Sequence, residues 1–180
     1  MLKNSILKWE IFGIIFISIV GALFHFVFDW LGNWEYIGGF FPVNESVWEH
    51  LKLPYWPLII FALIEYQFIK EKANNFIVGK TVAVLLSIVI IIITFYTYTA
   101  ILGTEILIID IGSFIVGVAV GQLISYKILT TSEVSKFVII FSWIIFIALG
   151  IIFILFTYIT PHLPMFQDPI SGLYGIVEHH

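Results

Sequence analysis

The feature that most limits this chain is the recurrence of long apolar runs separated by short polar connections. A helix needs about 20 mostly apolar residues to cross ~30 Å of hydrocarbon. Five stretches are read as such spans: residues 9–30, 54–69, 76–102, 106–129 and 137–160, the second prefixed by a short helix that contains residues 44–50. The expected fold class is therefore all-α: a polytopic membrane helix bundle of five transmembrane helices, forming a single integral membrane domain over residues 1–180. A 61% hydrophobic composition and a mean hydropathy of +1.08 agree, because a water-soluble domain of this length does not need that much apolar side chain to fill one core.

Charge and cysteine usage remove several function classes. The formal charge is -4, and all 8 basic residues are lysines. Neutralising a run of phosphates takes a basic patch that this chain lacks, so no nucleic-acid partner is expected. Membrane lipids are the expected surroundings, and an oligomer is left open. With 0 cysteines, disulfides, thiolate nucleophiles and iron–sulfur ligation are excluded, and any metal must use His, carboxylate or water. Lys3 and Lys8 precede an apolar run from Ile11 to Phe28 that is too long for a signal-peptide core, so it is read as a first anchor. His179 and His180 are either native or the remnant of a purification tag.

Lysine placement sets the expected orientation, since short Lys-rich loops stay in the cytoplasm. Lys3, Lys8, Lys70, Lys72, Lys80, Lys127 and Lys136 fall on one side and only Lys52 on the other. The N-terminus is expected inside and the C-terminal tail outside. Trp9, Trp30, Trp34, Tyr55 and Trp56 sit at the expected boundaries as interfacial aromatics.

On that topology the unusual polar residues collect in the outer half. His25 and Asp29 share a helix face at the end of span one, and Asp110 shares a stripe of 3-4-4 spacing with Ser113, Gly117 and Gly121 on span four. An acid in that position needs a partner or an aqueous cavity, the candidates being His25, His50 and Lys52. Thr94, Thr97 and Tyr98 either line the same cavity or bond locally. Glu10, Glu65, Glu71 and Glu133, on the inner side, are read as solvated or salt-bridged surface charge.

The densest polar stretch is Phe41-Pro42-Val43-Asn44-Glu45-Ser46-Val47-Trp48-Glu49-His50. Asn44 is a good N-cap, Ser46-x-x-Glu49 matches a capping box, and Lys52 is placed to pair with Glu49. Capping leaves Glu45 and His50 unexplained. Pro54 and Pro57 are expected to break or kink the following helix, so that the stretch folds over the outer mouth as a lid. The tail, Pro161-His162-Leu163-Pro164-Met165-Phe166-Gln167-Asp168-Pro169, is expected to pack across that mouth as a strap.

The pattern His25-x-x-x-Asp29, the stretch from Phe41 to Leu53 and the tail from Pro161 to Asp168 together resemble an uncharacterised family of small bacterial membrane proteins, catalogued as a domain of unknown function. The resemblance covers nearly the whole chain and implies a bacterial inner-membrane protein, but brings no activity with it. Asn44-Glu45-Ser46-Val47-Trp48-Glu49-His50-Leu51 is also similar to a segment of the progestin and adipoQ receptor family. That family belongs to the seven-span zinc amide hydrolases of the alkaline ceramidase group. This chain departs from them in its five expected spans and in lacking a late His-x-x-x-His pair.

Three functions are weighed. In the first, a divalent metal such as zinc is held by His25, His50 or His162, with help from Asp29, Asp110 or Asp168. A free carboxylate, Glu45 or Glu49, is then the general base for hydrolysis of a lipid or another membrane-embedded substrate, with Asp110 the third candidate catalytic acid. The second is proton- or cation-coupled transport, opposed by an inner half that reads as almost wholly apolar. The third is a non-catalytic network that closes the bundle or senses a ligand.

Overall fold

The computed structural model describes residues 2–176, so His179 and His180 lie outside the described residues. The chain forms α1 (Leu2–Trp30), α2 (Val47–His50), α3 (Lys52–Ile69), α4 (Phe76–Leu102), α5 (Leu107–Leu129) and α6 (Lys136–Tyr158), with single 3-10 turns at Glu35–Ile37 and Pro164–Phe166. Among the described residues there is no strand; a lone bridge between Gln167 and Tyr174 closes a loop of the tail. Four helices, α1, α4, α5 and α6, are long and apolar enough to cross a membrane, with mean hydropathies of 2.5, 2.8, 2.1 and 3.1. α3 is shorter, at 18 residues, and carries Lys52 and Glu65 near its two ends. Large apolar side chains such as Leu63, Ile93, Ile108, Phe137 and Ile144 point outward, as expected of a bundle solvated by acyl chains.

The helices run alternately up and down, and small residues set how closely they approach. Gly117 and Gly121 lay α5 against the backbone of Ser87 and Ala83 in α4, where a Cβ at Gly117 would come within 3.0 Å of the Ser87 carbonyl oxygen. The glycine stripe read from the sequence is thus the α4–α5 seam. Without competing hydrophobic collapse in lipid, close backbone packing of this kind is what holds helices together.

The helix is interrupted just ahead of Pro54, between α2 ending at His50 and α3 starting at Lys52, as expected, whereas Pro57 does not break it. α3 is continuous from Lys52 to Ile69. Pro54 lies in the first turn, where its missing N–H is one of the helix's orphan donors anyway. Pro57 removes the donor that Leu53 O would otherwise receive four residues on, and that carbonyl faces Gly21 of α1, where a Cβ would approach it to 2.8 Å. The proline and the glycine are two halves of one α1–α3 contact. On its other side α3 meets α6 at Tyr55, whose hydroxyl donates to the Phe146 carbonyl at 2.7 Å.

The inner-side acids need a correction. Glu71 and Glu133 are exposed, but Glu10 and Glu65 are both 0% exposed and Lys80 is 1% exposed. Lys80 sits on the inward face of α4 and donates to both Glu10 oxygens at 3.0 Å, while also pairing with Glu65. It therefore turns into the bundle instead of snorkelling to the loop. Buried charge concentrates at both ends of the bundle, and the expectation of an apolar inner half does not hold.

Candidate functional site

The site is built on the connection between α1 and α3. Asn44 Oδ1 accepts the Ser46 N–H at 2.9 Å, and Ser46 Oγ accepts the Glu49 N–H at 3.4 Å to start α2. The returning half of the capping box is displaced: Glu49 Oε2 accepts from the Val43 N–H at 3.0 Å, upstream of the cap. Glu49 is also ion-paired to Lys52, which donates to Gly38 O at 2.8 Å and to Thr157 Oγ1 of α6 at 2.6 Å. Burial pushes the Glu49 carboxyl upward, against the pull of the Lys52 ammonium. This network pins the connection onto α6 and explains how Ser46, Glu49 and Lys52 come to be buried.

Glu45 and His50, left over by capping, meet His25. The Nε2 atoms of His25 and His50 lie 3.5 and 3.4 Å from the two oxygens of Glu45. The two imidazoles are stacked, with ring centroids 5.2 Å apart and planes 21° from parallel. One ligand atom from each of the three residues falls within 4.8 Å of the others. The side chains are 25% (His25), 43% (Glu45) and 31% (His50) exposed, so the group is reachable from outside the bundle.

Hydrogen bonding orients these groups. His50 Nδ1 is 3.0 Å from Ser46 O, which requires a proton on Nδ1 and leaves Nε2 facing Glu45. If Nε2 also donates to Glu45, the ring is an imidazolium; if Nε2 binds a metal, the ring stays neutral in the same pose. Desolvation disfavours the charged ring, but the Glu45 carboxylate and the Ser46 carbonyl outweigh it, and the His50 pKa is raised. The bond from His50 holds the Glu45 carboxyl below its usual range, with burial opposing. His25 Nδ1 is buried without a hydrogen-bond partner.

The other candidates from the sequence lie elsewhere. Asp29 is exposed, one turn beyond His25. Asp110 does not pair with His25, His50 or Lys52: the Tyr98 hydroxyl lies 2.8 and 2.9 Å from its two oxygens and also accepts the Ile106 N–H, closing the α4–α5 turn. His162 is exposed and stacks on Tyr174 at 4.6 Å. Asp168 is 5% exposed and accepts from the Glu45 N–H at 3.3 Å and from the Ser171 N–H at 2.9 Å. Burial works against its negative charge, but these donors win and its pKa is lowered. Asp168 holds the backbone of Glu45 instead of joining the histidines. The Asn44 side chain reinforces that hold by donating to Gly175 O at 2.8 Å, and the Phe166 ring packs at a tilt against Trp48, with centroids 4.7 Å apart.

One residue that sequence reasoning passed over borders the site. Glu105, in the α4–α5 turn, lines a cleft of about 140 Å³ together with Glu45, Val47, Phe95, Tyr96, Pro164, Gln167 and Pro169. A larger groove of about 440 Å³ continues from it over Thr99, Ala100 and Gly103, sharing Phe95, Tyr96 and Glu105. Partial desolvation and then the Asp110 carboxylate raise the Glu105 carboxyl pKa. Its only sequence signal was an acid in a short turn beside a span end.

An all-helical, membrane-type bundle carrying a His/Glu group at one end is the class that these features define. The chain belongs to DUF6512, a family of unknown function, whose model matches residues 1–176. No curated protein and no solved structure matches it.

Proposed function

We propose that this is a single-domain, five-span membrane protein, with α3 as the fifth span, that binds a divalent metal ion such as zinc through His25, Glu45 and His50 and uses it to hydrolyse a lipid amide or ester. The observation that carries this reading is the spacing of the three ligands. Zinc bonds of ~2.0–2.1 Å in a tetrahedron put neighbouring ligand atoms ~3.3–3.4 Å apart. The His25 and His50 nitrogens lie 3.5 and 3.4 Å from different oxygens of Glu45, and one ligand atom from each of the three residues falls within 4.8 Å of the other two, so a closure of roughly 1.5 Å or less brings both imidazoles and a single carboxylate oxygen to tetrahedral spacing. Two imidazoles and one carboxylate leave a fourth position for water, which a bound zinc ion would activate.

The surroundings favour a lipid. The apolar groove over Phe95, Tyr96 and Ala100 suits an acyl chain whose carbonyl reaches Glu45 through the smaller cleft. Glu105, with its raised carboxyl, stands at the cleft as the general acid or base, a role for which Glu49 is unsuited because it is committed to Lys52. α2 acts as a lid and the tail from Pro161 as a strap that holds Glu45 in place. The lysine distribution puts this end outside and the N-terminus inside, in a bacterial inner membrane.

Metal analysis of detergent-purified protein tests the reading, with His179→Ala and His180→Ala in every sample to remove terminal ligands. About one zinc per chain is expected, falling to background in His50→Ala and Glu45→Ala. Equal metal in all samples, or none in any, would overturn it. The metal-free arrangement, with a His50 imidazolium bridging Ser46 and Glu45, is the second reading that the absence of metal would favour.

A further inference from the structure

At the opposite end of the bundle, α1, α3, α4 and α5 each turn a polar side chain toward one buried point. Glu10 of α1 and Glu65 of α3 face a single cation, Lys80 of α4. Ser125 of α5 donates to Glu10 Oε1 at 2.8 Å. The rings of Phe61 and Phe76 wall the ammonium, with centroids 5.9 and 5.3 Å from Nζ. The other charged groups at this end among the described residues, Lys3, Lys8, Lys70, Glu71, Lys72, Lys127, Glu133 and Lys136, are exposed, and α6 faces α4 here with Ser142 against Thr81. With both acids ionised, the cluster carries a net charge of about −1 in a dry interior, a state whose desolvation costs several kcal/mol.

A second observation concerns the polar side chains next to the ion pairs. Gln122 of α5 is 1% exposed, and neither its amide oxygen nor its amide nitrogen has a partner. It shares a helix face with Ser125, three residues on, and its amide nitrogen lies against Gly13, three residues after Glu10. Neither oxygen of Glu65 makes a hydrogen bond of good geometry. Buried donors and acceptors without partners are costly, so these two side chains call for a physical account.

We propose that this cluster is a proton-binding site in which Glu10 and Glu65 share one exchangeable proton. The proton bonds to one carboxyl oxygen, leaving the other carboxylate balanced by Lys80. Gln122, whose amide lies against Gly13 three residues along α1 from Glu10, offers a further acceptor and donor for a water that carries the proton. Lys80 occupies the centre, so a metal cation would meet direct repulsion there. The site does not depend on the His25, Glu45 and His50 group.

Infrared spectroscopy of the full-length purified protein in water and deuterium oxide tests this. The wild-type minus Glu65→Gln difference spectrum should show one carboxylic-acid carbonyl band that shifts in deuterium oxide. Wild-type minus Glu10→Gln should show the same band, since removing either acid leaves the other balanced by Lys80. Asp110 cancels in both differences, and His50→Ala leaves the band in place. In Glu105→Gln/Asp110→Asn protein, which keeps both Glu10 and Glu65, alkaline titration should still remove a carboxylic-acid carbonyl band, a readout that stands even if the Glu10 and Glu65 variants misfold. Failure to find the band in the differences and in the titration, or its loss on adding sodium chloride at fixed pH, would overturn the proposal.

Discussion

Replacing Glu49 by Gln should be among the most damaging single changes in this protein. Lys52 is 0% and Glu49 2% exposed, and the pair joins the α1–α3 connection to α6 through Thr157. Removing one partner of such a pair leaves an uncompensated buried charge, which costs about 3–5 kcal/mol. At 1.4 kcal/mol per factor of ten, the unfolded fraction rises by roughly two to three and a half orders of magnitude. Glutamine keeps an oxygen for the Val43 N–H, so the loss isolates the charge. Unfolding in a denaturing-detergent titration, followed by tryptophan fluorescence, measures it. Glu49→Gln combined with Lys52→Met removes both charges while keeping an acceptor for the Val43 N–H and should recover part of the lost stability, because an uncharged replacement of a whole buried pair is often tolerated. A cost for Glu49→Gln below about 1 kcal/mol, as for an exposed pair, would refute the reasoning. So would a double variant no better than the single one.

Tyr98→Phe removes the hydroxyl shared by Asp110 and the Ile106 N–H and should cost about 1–3 kcal/mol in the same titration. Gly121→Leu forces a side chain onto the Ala83 backbone and should destabilise the α4–α5 seam by about 1–3 kcal/mol, whereas Gly112→Leu, at a glycine with open space around it, should be near neutral. In metal-free protein the raised His50 pKa contributes stability that is full below its unfolded value of about 6.5 and is lost as pH rises through the higher folded value. His50→Gln should flatten a melting-temperature profile across that window. Asp168→Asn leaves the histidines untouched but weakens the hold on the Glu45 backbone; metal affinity measured by competition with a chelator should fall by about 10–100-fold, as for other groups that orient a ligand.

Residues with local partners were legible in the sequence. Ser46 and Glu49 declared a cap, Glu49 and Lys52 a pair, and Gly117 and Gly121 a seam, because each depends on helical spacing. The meeting of His25 with Glu45 and His50 was only partly readable: topology put them at the same end, but no spacing rule relates a span to a loop. Lys80 misled for a physical reason. Four residues inside its helix, it counts as a loop lysine by position, yet its rotation on α4 aims it at Glu10, 70 residues earlier. Asp168 looked like a ligand because an isolated tail acid has no local signature that separates binding a metal from binding an N–H.

The hold of Asp168 on Glu45 spans 123 residues, and Asn44 reaches 131 residues to Gly175. During synthesis, every helix from α1 to α6 emerges before these anchors exist. A nascent chain halted between Tyr158 and Asp168 would therefore have its helices in the bilayer while its glutamate was still untethered. Maturation of the centre is thereby tied to the arrival of a short segment that contributes no atom to it.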